Sequence, residues 1–98
     1  MLNEIVNEEI IRKQAEIFKA LSNNTRLKIV HLLFERSMSV NEIAELIEDK
    51  ERSGISKHLN ILRINSIVDY KEDGTSRIYF LKARCLVNAV DCTLQILK

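Results

Sequence analysis

Cysteine, glycine and long apolar runs are all scarce in this 98-residue chain, and each shortage removes a class of protein. Two cysteines, Cys85 and Cys92, are too few for a disulfide framework. No apolar stretch approaches the ~20 residues that span a bilayer, and no cleavable signal pattern is visible. A cytoplasmic protein with no membrane partner is the expectation. Only two glycines are present, and neither belongs to a phosphate-cradling loop. There are no paired catalytic carboxylates and no nucleophile with a base in reach, and the two histidines, His31 and His58, fall on different expected helices. No enzymatic activity and no cofactor are expected. His31 has no second histidine or cysteine at i+3 or i+4 and reads as structural, so no metal site is assigned to it.

What is present is apolar residue, 46% of the chain, and charge, 30%. Ninety-eight residues make one domain that buries roughly 60–70% of its unfolded surface. The net charge of +1 is uninformative until it is divided along the chain. Residues 1–34 carry +1, 35–49 carry −4, 50–84 carry +4 and 85–98 are neutral. The positive excess therefore sits on residues 50–84, where it either meets phosphates or merely solvates the surface.

The segment Arg52–Arg63, RSGISKHLNILR, organises the rest. As a helix it places Ile55, Leu59 and Leu62 on one face and Arg52, Ser53, Ser56, Lys57 and Asn60 on another. Gly54 within it is costly for a helix interior. Either its missing side chain lets DNA approach closely, or it is tolerated in the first turn. His58 stands at the margin of the apolar face, as a phosphate donor or as a core-edge histidine bonded to backbone. Upstream, SVNEIAELI forms a short amphipathic helix, Val40 to Ile47, opened by a Ser39–Glu42 capping box. Glu48–Glu51 form the turn, with Asp49 as a cap for the reading helix. Downstream, IVDYKEDGTSRIYFL alternates about an Asp-Gly turn, with a first strand at Ile67–Lys71. Lys71 and Arg77 flank a tip that contains two acids.

The remaining elements are helical. Asn3 caps a first helix running to about Leu21, and its extra apolar residues Leu2, Val6 and Ile10 point either to a partner surface or to ordinary burial. A second helix from near Thr25 through RLKIVHLLF is the most apolar element and the pillar of the core. A last helix from about residue 83 to Leu97 carries Leu86, Val87, Val90, Leu94 and Leu97. Helix, turn, helix, then hairpin is the plan of a winged helix-turn-helix: mainly α, five helices and a small β-hairpin, with the second helix of the motif entering the DNA major groove.

The blocks AEIFKALSNNTRLKIVHLLF, SVNEIAELI, SGISKHLNILR and RIYFL, in that order and spacing, resemble the ArsR family of small winged-helix repressors over roughly Ala15 to Leu81. The resemblance implies a homodimer formed by the first and last helices (about 3–21 and 83–97), two reading helices in successive major grooves, and repression relieved by an inducer that the sequence does not identify. The family's cysteine metal motif falls at Ser39 and Asn41 here, and its Asp/His site at Arg84, Leu86 and Leu97, so neither familiar metal site is present. Ser66 stands where the family usually has glycine ahead of the wing, and the Glu48–Glu51 turn is one residue longer and more acidic.

The expected function is sequence-specific binding of double-stranded DNA at a pseudo-palindromic site. Ser53, Gly54, Ser56, Lys57 and Asn60 face bases and phosphates, with His58 beside them, while Arg52, Arg63, Lys71 and Arg77 hold backbone. The alternative is a winged-helix module that binds protein and no DNA. Cys85 and Cys92, seven apart on one helix and roughly 10 Å along its axis, are too far apart for an intrachain disulfide. They stand either as a redox or thiol-metal sensor across a dimer axis or as small packing residues.

Overall fold

The computed structural model describes residues 7–98. Helix α1 spans Glu8–Leu21, and Asn7 caps it by accepting the Glu9 and Ile10 N–H groups. The cap expected at Asn3, and the apolar residues Leu2, Ile5 and Val6, lie outside the described residues. Helix α2, Asn24–Glu35, is capped by the Asn23 side chain, which accepts the Arg26 N–H at 3.0 Å. Its Ile29, Val30 and Leu33 are fully enclosed, so α2 is the pillar the sequence indicates.

Two residues, Met38–Ser39, then form strand β1, and Ser39 also caps helix α3, Val40–Leu46. The capping box is complete: the Glu42 N–H donates to Ser39 Oγ and the Ser39 N–H to Glu42 Oε1, both at 3.1 Å. Arg36 pairs with the other carboxylate oxygen of Glu42 at 2.7 Å and, with the Ser39 N–H second, holds that carboxyl below its usual pKa.

The expected single helix from Arg52 to Arg63 is instead two. Asp49–Arg52 form a short helix, α4, and Ile55–Ile64 form α5, with Ser53 and Gly54 between them. Gly54 takes φ +85°, a left-handed conformation that L side chains rarely adopt, so the chain breaks there. A glycine inside a continuous helix is thereby corrected. Asp49 sits within α4 and pairs with Arg52 at 2.8 Å, so it does not cap the reading helix. This short element raises the helices from the expected five to six among the described residues.

Helix α5 ends in paired reverse hydrogen bonds. The Ser66 N–H donates to the Arg63 carbonyl at 2.9 Å and the Ile67 N–H to the Leu62 carbonyl at 3.0 Å. This is the Schellman arrangement, and it puts Ser66 at φ +61°. Strands β2 (Val68–Asp73) and β3 (Ser76–Leu81) follow as an antiparallel hairpin in which Asp73 pairs with Ser76. The two-residue loop is thus Gly74-Thr75, with positive φ at its first position alone, as a type II′ connection requires. β1 pairs with β3, giving the order β1-β3-β2 and a third strand not expected from the polar run around Ser37. Helix α6 begins at Leu86, later than expected, and runs to Leu97. Arg84 anchors its approach by donating to the Phe34 carbonyl at 3.1 Å.

One cluster of buried side chains joins these elements: Leu21 from α1, Ile29, Val30 and Leu33 from α2, Ile43 from α3, Leu59 and Leu62 from α5, Val68 and Leu81 from the hairpin, and Val87 from α6. Mostly helical, with a hairpin after the second helix of a helix-turn-helix, the architecture is a winged helix.

Candidate nucleic-acid interface

The geometry of α5 follows from its sequence. Ile55, Leu59 and Leu62 are buried to 3% exposure or less, which turns Ser56, Lys57 and Asn60 to solvent. Ser53 and Gly54, just ahead of the helix, are exposed as well. Ser56 and Asn60 form one wall of a polar cleft of about 390 Å³. Asn41 at the start of α3 and Thr75, Ser76 and Arg77 of the hairpin close the other sides. Helix, wing and the start of α3 therefore open onto one space.

The expected cations are disposed differently from one another. Arg77 is in the cleft, its guanidinium 4.5 Å from the centre of the Tyr70 ring. Arg63 lies 4.7 Å from the same ring and donates to Asp69 at 3.0 Å. That bond first, and the Tyr70 N–H second, holds the Asp69 carboxyl below its usual pKa, while Arg63 is raised. Arg52 is bound locally, to Asp49 and to the Ile47 carbonyl at 3.3 Å. Lys71 alternates with Tyr70 along β2 and lies 5.8 Å from the Phe80 ring, in a separate hollow with Ser37 and Ile78. Ser56, Asn60 and Arg77 are thus brought together, and Lys71 is not.

His58 is half-buried at the core edge, one of its two expected placements, but its partner there is a side chain and not backbone: Nδ1 is 3.1 Å from Arg26 Nη1. A guanidinium only donates, so Nδ1 accepts and the ring is neutral. Burial first, then the charges of Arg26 and Lys57, lowers the His58 pKa from 6.5. Arg26 also donates through Nε to the Ala20 carbonyl, so one side chain links α1, α2 and α5. The turn before α5 has its own tie: Glu51 accepts from Thr25 Oγ1 at 2.8 Å and pairs with Lys28. Lys28 first and Thr25 second lower the Glu51 pKa. Sequence reasoning missed Arg26 and Glu51 because their partners lie 32 and 23–26 residues away. Asn41, Thr75 and Ser76 carried only the weak signal of small polar residues beside a helix start and a turn.

Cys85 and Cys92 are exposed and free, and Cys85 sits just before α6 rather than within it. Among the described residues no group of three or more His, Cys, Asp or Glu side chains is placed to hold a metal ion, and no helix is long and apolar enough to cross a membrane.

Residues 23–70 match the model of the arsR family of bacterial regulatory proteins. The chain is 43% identical to an uncharacterized HTH-type transcriptional regulator of Methanocaldococcus jannaschii, over 74% of its own length and 82% of the relative's. It is 35% identical to the uncharacterized HTH-type transcriptional regulator Rv0081 of Mycobacterium tuberculosis, over 79% of the chain and 68% of that protein. The crystal structure of Rv0081 superposes with a TM-score of 0.76, covering 92% of this chain and 91% of that one. A cadmium resistance transcriptional regulatory protein, CadC of Listeria innocua, is 40% identical over 76% of the chain and 62% of its own length. The helix-turn-helix and the hairpin that follows it are therefore those of a winged-helix transcriptional regulator, and the chain belongs to the ArsR family.

Proposed function

We propose that the protein is a homodimeric repressor that reads a pseudo-palindromic operator, with α5 of each protomer in the major groove and the hairpin against the adjacent backbone. The observation that carries this reading is the division of α5 itself, with Ile55, Leu59 and Leu62 buried and Ser56, Lys57 and Asn60 exposed beside the cleft that holds Arg77. Serine and asparagine hydrogen-bond base edges, and Lys57 supplies a phosphate contact. Ser53, Gly54 and His58 complete the helix side of the interface, and Arg52, Arg63, Lys71 and Arg77 its backbone contacts.

Dimerisation by the terminal helices is supported by apolar surface that the single chain leaves uncovered. Phe18 is 58% and Leu94 53% exposed, and Phe18, Leu21, Ala89 and Val90 line a shallow groove between α1 and α6. A two-fold dimer sets the half-sites about one helical turn, ~34 Å, apart. The site of action is the cytoplasm.

Selection of bound duplexes from a random pool tests the whole reading, because a recovered palindrome reports base reading, symmetry and spacing together. Lys57→Ala weakens binding and lowers the slope of log K against log salt by roughly one unit. Unchanged affinity and slope would overturn the placement of α5. No binding to any duplex at low salt would leave a protein-binding module instead.

A further inference from the structure

Tyr70 stands at the junction of the reading helix and the wing, and the guanidinia of two elements converge on its ring. Arg63, near the end of α5, lies 4.7 Å from the ring centre, and Arg77, on β3, lies 4.5 Å from it. The ring is itself backed by Tyr79, its cross-strand partner, at 5.3 Å between centroids and 49° between planes. Tyr79 is 6% exposed, so the platform is tied into the core. Asp69, the residue before Tyr70, completes the joint by accepting from both Arg63 Nε and the Tyr70 N–H.

An arginine on a solvent-facing strand or helix end ordinarily samples many rotamers, and it loses that freedom when it binds a phosphate. A guanidinium resting on an aromatic face has already lost much of it, while the edge that carries its N–H donors stays available. We propose that Tyr70 is a positioning residue of the DNA-binding face, holding Arg63 and Arg77 at a fixed spacing so that helix and wing present their cations to the phosphate backbone as one unit. The proposal rests on the DNA-reading function above. It gives the hairpin a part in binding that depends on its base and not on its acidic tip, where Glu72 and Asp73 oppose phosphate.

The test uses the full chain, a fluorescently labelled random-sequence duplex and anisotropy across a salt titration. The variants are Tyr70→Phe, Tyr70→Val, Arg63→Gln/Arg77→Gln and the triple variant. Valine suits a strand and removes the ring, whereas phenylalanine keeps it. Tyr70→Phe binds like the parent, and Tyr70→Val binds roughly tenfold more weakly, the loss of two cation–π contacts. Its salt slope falls by about one to two units. In the Arg63→Gln/Arg77→Gln background Tyr70→Val has no further effect, because its influence runs through those two side chains. Parental affinity and slope for Tyr70→Val, or an equal loss in the doubly substituted background, would overturn the positioning role and leave DNA reading intact. Failure of the parent itself to bind duplex at low salt would remove DNA reading, and this proposal with it. Proton NMR gives a measurement independent of folding in the valine variant: upfield ring-current shifts of the Arg63 and Arg77 δ protons in the parent and in Tyr70→Phe. Unshifted δ protons would overturn the stacking.

Discussion

Ser66→Gly should stabilise this protein, and the size of the gain can be worked from the end of α5. Ser66 is the only non-glycine residue with positive φ among the described residues, at +61°. It cannot leave that conformation without breaking the bonds from its own N–H to Arg63 and from Ile67 to Leu62, which close the helix onto a core where Leu62 and Ile67 are both fully buried. An L residue in the left-handed region is strained by about 1–2 kcal/mol. Glycine relieves that strain and returns roughly 0.4–1 kcal/mol through the greater freedom of the unfolded chain. The net gain is about 0.5–1 kcal/mol, a rise in Tm of roughly 2–8 °C for a domain of this size. The Ser66 side chain is exposed and has no hydrogen-bond partner among the described residues, so its removal sacrifices no contact. The control is Ser66→Ala, which keeps the Cβ and with it the strain. Thermal unfolding is followed for all three proteins at one protomer concentration, because the proposed dimerisation would make Tm depend on concentration. A glycine variant no more stable than the alanine variant would refute the strain argument.

Three further outcomes are expected. Leu94→Glu places a charge on the exposed apolar surface of α6, and if the proposed dimer forms through the terminal helices, sedimentation equilibrium should show a lower mass for the variant than for the parent. The His58 pKa is lowered in the folded state, so its contribution to stability is complete above about 6.5 and is lost as pH falls from there towards the folded value; His58→Gln should flatten that part of the stability–pH curve. The Glu51 carboxyl is also lowered, by Lys28 and Thr25, so its contribution is present above the usual carboxylate pKa of 4.5 and is lost as pH falls through the folded value. Glu51→Gln should lower Tm at pH 7, with the difference closing below pH 4.5.

The elements that rest on local rules were legible in the sequence. The Ser39–Glu42 capping box needs only residues three apart, and the buried face of α5 needs only the spacing of Ile55, Leu59 and Leu62. The break at Gly54 was less legible because the apolar period continues through it: Ile55 is buried whether or not Arg52 belongs to the same helix. Only the cost of glycine in a helix interior signalled that the backbone does something else there, and the observed φ of +85° with open space around the missing Cβ gives conformation as the reason. Strand β1 was hidden for a different reason. Two residues carry no period, and Met38 pairs with Tyr79 across 41 positions of sequence.

The long-range ties bear on how α5 is aimed. Burial of Ile55, Leu59 and Leu62 fixes which side of α5 faces inward, yet apolar contact is non-directional and leaves the helix free to slide or roll by small amounts. Hydrogen bonds do not allow that freedom. Glu51, ahead of the helix, is held by Thr25 and Lys28, and His58, one turn in, is held by Arg26. All three partners project from the first turns of α2, so the N-terminal half of α5 is registered against the pillar of the core. Arg63, at the far end, is registered against the hairpin through Asp69 and Tyr70. The exposed row Ser56, Lys57 and Asn60 lies between Glu51 and Arg63, on either side of His58. A substitution at Arg26 or Asp69 touches no residue of that row, and it should nonetheless alter duplex affinity by changing the pose of α5, with far-UV circular dichroism unchanged.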